Sequence, residues 1–281
     1  VKTRTPAVVA AGSLSLALAL TACGNDAADE TTVEASEETE EKGGLQELLS
    51  SLGDNTDDIT NYTLSLDLNM PDPELGDISM DMVYEVMDDP EAVQTTMSMP
   101  FLGEMMLELM SLGGEAPEGV TADDLGTFIV ILQPGQDPLV ADQHGLQGDS
   151  PWLRTDEASM DQDPDEFFDI ESLPELAGAF AALEQAEETG TEEVDGIETT
   201  VVSGSMTNDD LAELDPEQAR AVKDLVGSDI AGTLDVTLWI DGDGFPMRME
   251  FSDDEADIAM EFSAIGSTAF DLPSEDEIGT V

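Results

Sequence analysis

Apolar and polar residues alternate with a period of two over several stretches of the chain. Tyr62, Leu64, Leu66, Leu68 and Met70 fall on one face of the stretch 61–70. That spacing predicts a strand with one buried side. Met80, Met82, Tyr84 and Val86 repeat the pattern, and Met97 and Met99 stay in phase within 94–99. Asp88-Asp89-Pro90-Glu91 supplies the turn between the second and third runs. Toward the end, Leu234, Val236, Leu238 and Ile240 alternate, then Met247, Met249 and Phe251, then Ile258, Met260 and Phe262. Asp195-Gly196 and Asp241-Gly242-Asp243-Gly244 are hairpin turns between such runs.

Helical spacing is rarer. Leu45, Leu48, Leu49 and Leu52 stand at i, i+3, i+4, i+7 before Gly53. The stretch 101–112 reads as a Met-rich helix, and 167–185 as a helix with Leu173, Leu176, Ala177, Phe180 and Ala181 on one face. Two further helices are expected over 209–214 and 216–226. Short strands are expected at 128–132, 139–141 and 152–154. The sum is nine or ten strands, mostly local hairpins, with three to five helices in inserted blocks. This is an α+β chain, not an alternating βαβ one. The expected architecture is one strongly curved antiparallel sheet, a half-barrel, with helices packed on its concave side. The chain is expected to end in a polar tail after Leu272-Pro273-Ser274.

The first 22 residues differ from all of this. Lys2 and Arg4 precede an apolar run over 7–20, the form of a secretory signal. The run is short for a membrane span. It ends in Leu20-Thr21-Ala22-Cys23, which resembles the bacterial lipobox. That motif implies a diacylglyceryl group on Cys23, which is also the chain's one cysteine. Two acyl chains anchor a protein stably where one does not. Residues 24–44 hold eight acids, one Lys and no aromatic. Such a stretch cannot offset its chain entropy, so a disordered tether spanning roughly 25 Å is expected; an acidic interaction tail is the alternative. The domain organisation is thus a signal peptide over 1–22, a lipidated Cys23 with its tether over 23–44, and a folded domain over 45–281. The expected location is the extracytoplasmic face of the cell membrane.

Composition narrows the function further. The 281 residues include 66 Asp and Glu against 7 Lys and Arg, a net charge of −59. A nucleic-acid partner needs a cationic stripe that seven scattered basic residues cannot supply. Attachment to anionic lipid through a basic patch is excluded likewise. The acids are spread over tether, strand faces, turns and helix surfaces, a coat suited to saline surroundings.

Candidate chemistry is sparse. His144, the one imidazole, stands in a polar loop, so a Ser-His-Asp site has little support. There is no histidine cluster for zinc, no phosphate loop and no dinucleotide fingerprint. No carboxylate pair stands out as a glycosidase pair. Asp241-Gly242-Asp243-Gly244 faintly resembles a calcium loop but has Phe245 at position five and Ser252 at position twelve, so a structural turn is expected. Nine of the 14 Met lie between Met70 and Met110. Thioethers can bind Cu(I), but alternation with polar residues is a core pattern, or that of a cavity lining that refits to flexible ligands. Trp152 and Trp239 are expected in sheet packing, Trp239 on the face opposite Leu238 and Ile240. No enzyme and no cofactor are expected.

Several signatures converge. The lipobox and acidic tether precede Thr60-Asn61-Tyr62-Thr63-Leu64. Val194-Asp195-Gly196-Ile197-Glu198-Thr199-Thr200 follows, then Val236-Thr237-Leu238-Trp239-Ile240-Asp241 running into Gly244-Phe245-Pro246-Met247-Arg248-Met249, and Phe270 to Pro273 closes the chain. In this order, over about Leu45 to Ile278, the sequence resembles the actinobacterial LppX/LprG-type lipoproteins, whose fold is similar to the lipoprotein carrier LolA. The resemblance implies a half-barrel with helices enclosing an apolar cavity, and, for some members, carriage of acylated lipids or glycolipids across the cell envelope. It brings no catalytic residues. Met97, Met99, Phe101, Met105, Met106, Phe128 and Phe180 are the candidate lining of such a cavity. A cell-surface interaction or sensory module on the same scaffold, its cavity filled by its own side chains, is the alternative.

Overall fold

A computed structural model describes residues 48, 59–72, 76–113, 119–142, 144–146, 148–155, 173–181, 186–226 and 230–280. All lie in the compact unit Glu41–Val281. The signal sequence, Cys23 and the tether lie outside the described residues, as does most of the helix expected around Leu48. Leu48 itself is helical and packs against the core.

The strands are β1 (Tyr62–Asp72), β2 (Gly76–Asp88), β3 (Glu91–Ser98), β4 (Thr127–Leu132), β5 (Leu139–Ala141), β6 (Trp152–Arg154), β7 (Glu187–Val194), β8 (Ile197–Met206), β9 (Leu234–Ile240), β10 (Pro246–Ser252), β11 (Asp257–Ser263) and β12 (Ile278–Thr280). The helices are α1 (Pro100–Gly113), α2 (Ala122–Gly126), α3 (Leu173–Ala181), α4 (Asn208–Leu211) and α5 (Pro216–Val226).

All twelve strands join one curved, open sheet in the order β12-β6-β5-β4-β3-β2-β1-β11-β10-β9-β8-β7. β7 and β12 are its free edges. Every pairing is antiparallel except β12 with β6. This is the α+β half-barrel expected from the alternating runs. The chain end is the clearest difference. The stretch expected to be a polar tail places Ile278 opposite Trp152 and Thr280 opposite Arg154, a parallel strand three residues long. Three residues are too few to show a period, and the partner strand is over a hundred residues distant in sequence.

The turns follow their local chemistry. Asp195 and Gly196 take φ of 48° and 78°, the left-handed pair that closes the β7–β8 hairpin. The Asp241 carboxylate accepts from Asp243 N (2.9 Å) and Phe245 N (2.8 Å), which fixes the β9–β10 turn. Thr121 and Thr207 each start a helix with a reciprocal capping box, to Asp124 and Asp210. Those backbone and hydroxyl donors hold both carboxyls below the usual carboxylate range.

The closed core lies under α3 and α5. Phe180 of α3 packs on Phe251 of β10 with ring centroids 5.6 Å apart, and Phe245, Phe262 and Tyr62 continue the aromatic cluster. Gln218 of α5 crosses α3 at Gly178, where a Cβ would sit 2.4 Å from its amide nitrogen.

Candidate functional site

One cross-strand row on the inner face of the sheet shows how the site arises. Phe128, Met97, Met82, Leu66, Met260, Met249, Leu238 and Val202 are successive partners across β4, β3, β2, β1, β11, β10, β9 and β8. Every member is apolar, because each strand places its alternate apolar residue on this side. Their burial is unequal. Val202, Leu238, Met249, Met260 and Met82 are sealed, Leu66 and Met97 are half-buried, and Phe128 is 37% exposed. The adjacent row behaves the same way. Val236, Phe251 and Ile258 are buried, and Leu68 and Met80 are half-buried. Met70, beyond Leu68 on β1, is exposed. A third row, through Leu64, Tyr84 and Thr95, stays buried, so the opening is confined to one end of β1–β4.

Helix α1 borders this open floor, since the chain leaves β3 at Ser98 and enters α1 at Pro100. One side of α1 is held by backbone contact with α2. A Cβ on Gly103 would lie 1.9 Å from the Ala122 carbonyl oxygen, and one on Gly126 would lie 2.6 Å from that of Met99. Met99 N donates to the Gly126 carbonyl at 2.8 Å. Its other side carries Phe101, Met105, Leu109 and Leu112 toward solvent, the last of them 80% exposed. Glu104 and Glu108 are exposed on the same helix.

The candidate lining residues therefore separate. Met97 and Phe128 face each other across β3 and β4 at the open end. Phe101 and Met105 are exposed on α1, Met106 is half-buried there, and Met99 anchors the β3–α1 junction. Phe180 lies elsewhere, sealed between α3 and β10. The space left around it, bounded by Ala186, Val202, Val236 and Leu238, is about 10 Å³, too small for a ligand. Leu66, Leu68, Met70 and Met80 complete the open floor. Their alternation was visible in sequence, but nothing local distinguished them from the covered residues of β9–β11.

The outer face is mostly polar over β9–β11, whereas at β2–β5 it holds buried Met87, Ala92, Ile131 and Leu139. Trp239 points to the outer face, opposite Leu238 and Ile240; its Nε1 donates to Glu192 Oε2 at 2.8 Å, and Arg248 stacks 4.8 Å from its ring centroid. Arg248 also binds Glu250, with Glu261 at 3.9 Å. Asp67 faces Asp81 across β1 and β2 on this side. Partial burial, with a hydrogen bond to Asp81 and its charge, raises the Asp67 pKa above the ordinary carboxylate value. His144 is exposed, 3.5 Å from Asp124 Oδ1. Asp142, which sequence reading passed over, is buried and accepts from Leu146 N and Gly148 N at 2.7 Å each. Among the described residues no group of three His, Cys, Asp or Glu side chains could hold a metal ion, and no helix is long and apolar enough to cross a membrane.

The LppX_LprAFG lipoprotein family model matches residues 142–268, from the loop before β6 to the end of the β-rich closed half. Among solved structures the chain is similar to LprF from Mycobacterium bovis, at 14% identity and TM-score 0.46, covering 83% of this chain and 97% of that one. It is similar to LppX from Mycobacterium tuberculosis at 17% identity and TM-score 0.43, covering 81% and 98%. A LolA-superfamily protein from Nitrosomonas europaea matches at 10% identity and TM-score 0.25, covering 83% and 96%. No curated protein matches the sequence.

Proposed function

We propose, from the match of residues 142–268 to the LppX_LprAFG lipoprotein family model, that the protein is a member of that family and a lipid-anchored carrier of lipids or acylated glycolipids at the extracytoplasmic face of the cell membrane. Cys23 with its diacylglyceryl group is the anchor, the acidic tether is the spacer, and no reaction is catalysed. One observation supports the carriage: the inner face of β1–β4 is an apolar floor left half open beside the exposed stripe of α1. Covering about 300 Å² of acyl surface there contributes roughly 7 kcal/mol before ordering costs. Unbranched Met side chains at Met70, Met80 and Met97 can refit to a flexible chain.

A second reading has its own support. Among the described residues, the space beside Phe180 under α3 is about 10 Å³. A scaffold so packed suits a cell-surface interaction or sensory module that carries nothing. Organic extraction of the purified full chain, followed by mass spectrometry, separates the two. Co-purified acyl lipid, together with displacement of a fluorescent acyl probe, is the carrier result. Absence of both leaves the module reading.

A further inference from the structure

The open floor is built from β1–β4, α1 and α2, all between Tyr62 and Leu132. From Ile59 to Leu132 the sequence has fifteen Asp and Glu and no Lys, Arg or His. The described cations lie on other elements and are engaged there. Arg154 of β6 sits 3.7 Å from Glu275, Arg220 of α5 pairs with Asp224, and Arg248 on the outer face pairs with Glu250 and Glu261. Lys223, also on α5, has a partner. The imidazole of His144 is beside Asp124, not free to meet a ligand anion. Glu104 and Glu108 stand exposed on the helix that borders the floor.

Resting on the carrier reading, we infer that this site selects its amphiphile by headgroup charge: it takes an acyl ligand whose headgroup bears no negative charge and rejects phosphate, sulfate and carboxylate headgroups. An acyl chain laid on the floor brings its headgroup to the rim, next to α1. A carboxylate or phosphate there finds no cationic side chain on any element that builds the site. It meets only carboxylates at short range, where screening by salt is least effective. An uncharged polyol or an amine meets no such barrier, since carboxylates accept its hydrogen bonds.

Monoolein, oleylamine and oleate share an acyl chain and differ in headgroup charge. Each is titrated against the purified full chain carrying N-phenyl-1-naphthylamine as an apolar fluorescent probe, at pH 8, in low salt and in about 1 M NaCl. The expected result is displacement by monoolein and oleylamine, with oleate at least about tenfold weaker in low salt and the gap narrowing in high salt. Changing the two rim acids, Glu104→Lys with Glu108→Lys, raises the affinity for oleate relative to monoolein and lowers that for oleylamine; an unchanged order of the three affinities counts against the charge selection. Equal affinities for oleate and monoolein in low salt overturn the charge selection and leave the carrier reading standing. Displacement by none of the three overturns both.

Discussion

Met260 and Met97 occupy the same cross-strand row of the inner face, separated by β1 and β2, yet Met260 is sealed and Met97 is not. The side chains are identical, the strands are equally regular, and both fall on the apolar period of their strands. What differs is the cover. Over β8–β11 the helices α3 and α5 lie on the sheet, and Phe180 inserts its ring against Phe251. Over β1–β4, α1 is tied by its glycine side to α2 and turns its apolar stripe outward. The period of a strand decides which residues share a face. Whether that face becomes core or open floor is decided by where the helices lie.

That contrast can be broken by mutation. Phe251→Ala removes a ring packed on all sides and is expected to cost about 3–5 kcal/mol, while Phe128→Ala, already exposed, costs under about 1 kcal/mol. Denaturant unfolding of the two variants measures the gap, and equal losses would show that the halves are packed alike. Gly103→Ala forces a methyl into the Ala122 carbonyl. About 1–3 kcal/mol of destabilisation is expected, with acyl-probe binding weakened because α1 is displaced. An unchanged unfolding midpoint would mean that the α1–α2 crossing is not close.

Trp239→Phe keeps the apolar bulk on the outer face but deletes the donor to Glu192 and weakens the Arg248 stack, for about 1 kcal/mol. Because this lies behind the sheet, acyl-probe affinity should stay constant, and a change there would couple the two faces. Raising NaCl to about 1 M, where the Debye length is about 3 Å, should relieve self-repulsion and raise the melting temperature. A flat or falling melting temperature would remove the acidic coat from the account of stability.

The smallest effect concerns Asp67. Its pKa is raised in the folded state, chiefly by partial burial and then by Asp81. The fold therefore holds this proton more tightly than the unfolded chain does. The resulting stabilisation is present in acid and is lost as pH rises through the raised value, leaving the ionised Asp67 a cost at neutrality. Asp67→Asn should accordingly gain more melting temperature relative to wild type at pH 7 than at pH 3. The reverse order would place the interaction with Arg248 above the repulsion from Asp81 and Glu261.

Much of this fold was legible from the sequence. Tyr62 through Met70, Leu234 through Ile240 and Ile258 through Phe262 announced their strands by strict alternation, and Asp195-Gly196 announced its turn. β12 was not legible, since Ile278-Gly279-Thr280 is too short to carry a period. The site was only half legible. Met97, Phe101, Met105 and Phe128 could be named from the Met-rich, apolar character of their segments, and the structure puts them at or beside the open end. Phe180 was named on the same ground and lies in the sealed half, because its environment is set by β10 some seventy residues later. Met70 went unnamed, because its exposure depends on a helix that does not reach it.

The central claim is that acyl ligands meet the inner face of β1–β4 and not the interior under α3. Photocrosslinking locates that contact. The full chain is irradiated with an uncharged acylglycerol bearing a diazirine on its chain, digested, and the labelled peptides are sequenced by mass spectrometry. The account predicts adducts within 66–82, 97–109 and 127–132, at residues such as Met70, Met80, Met97 and Phe128. Adducts confined to 234–262, among Leu238, Met249, Phe251 and Met260, would contradict it.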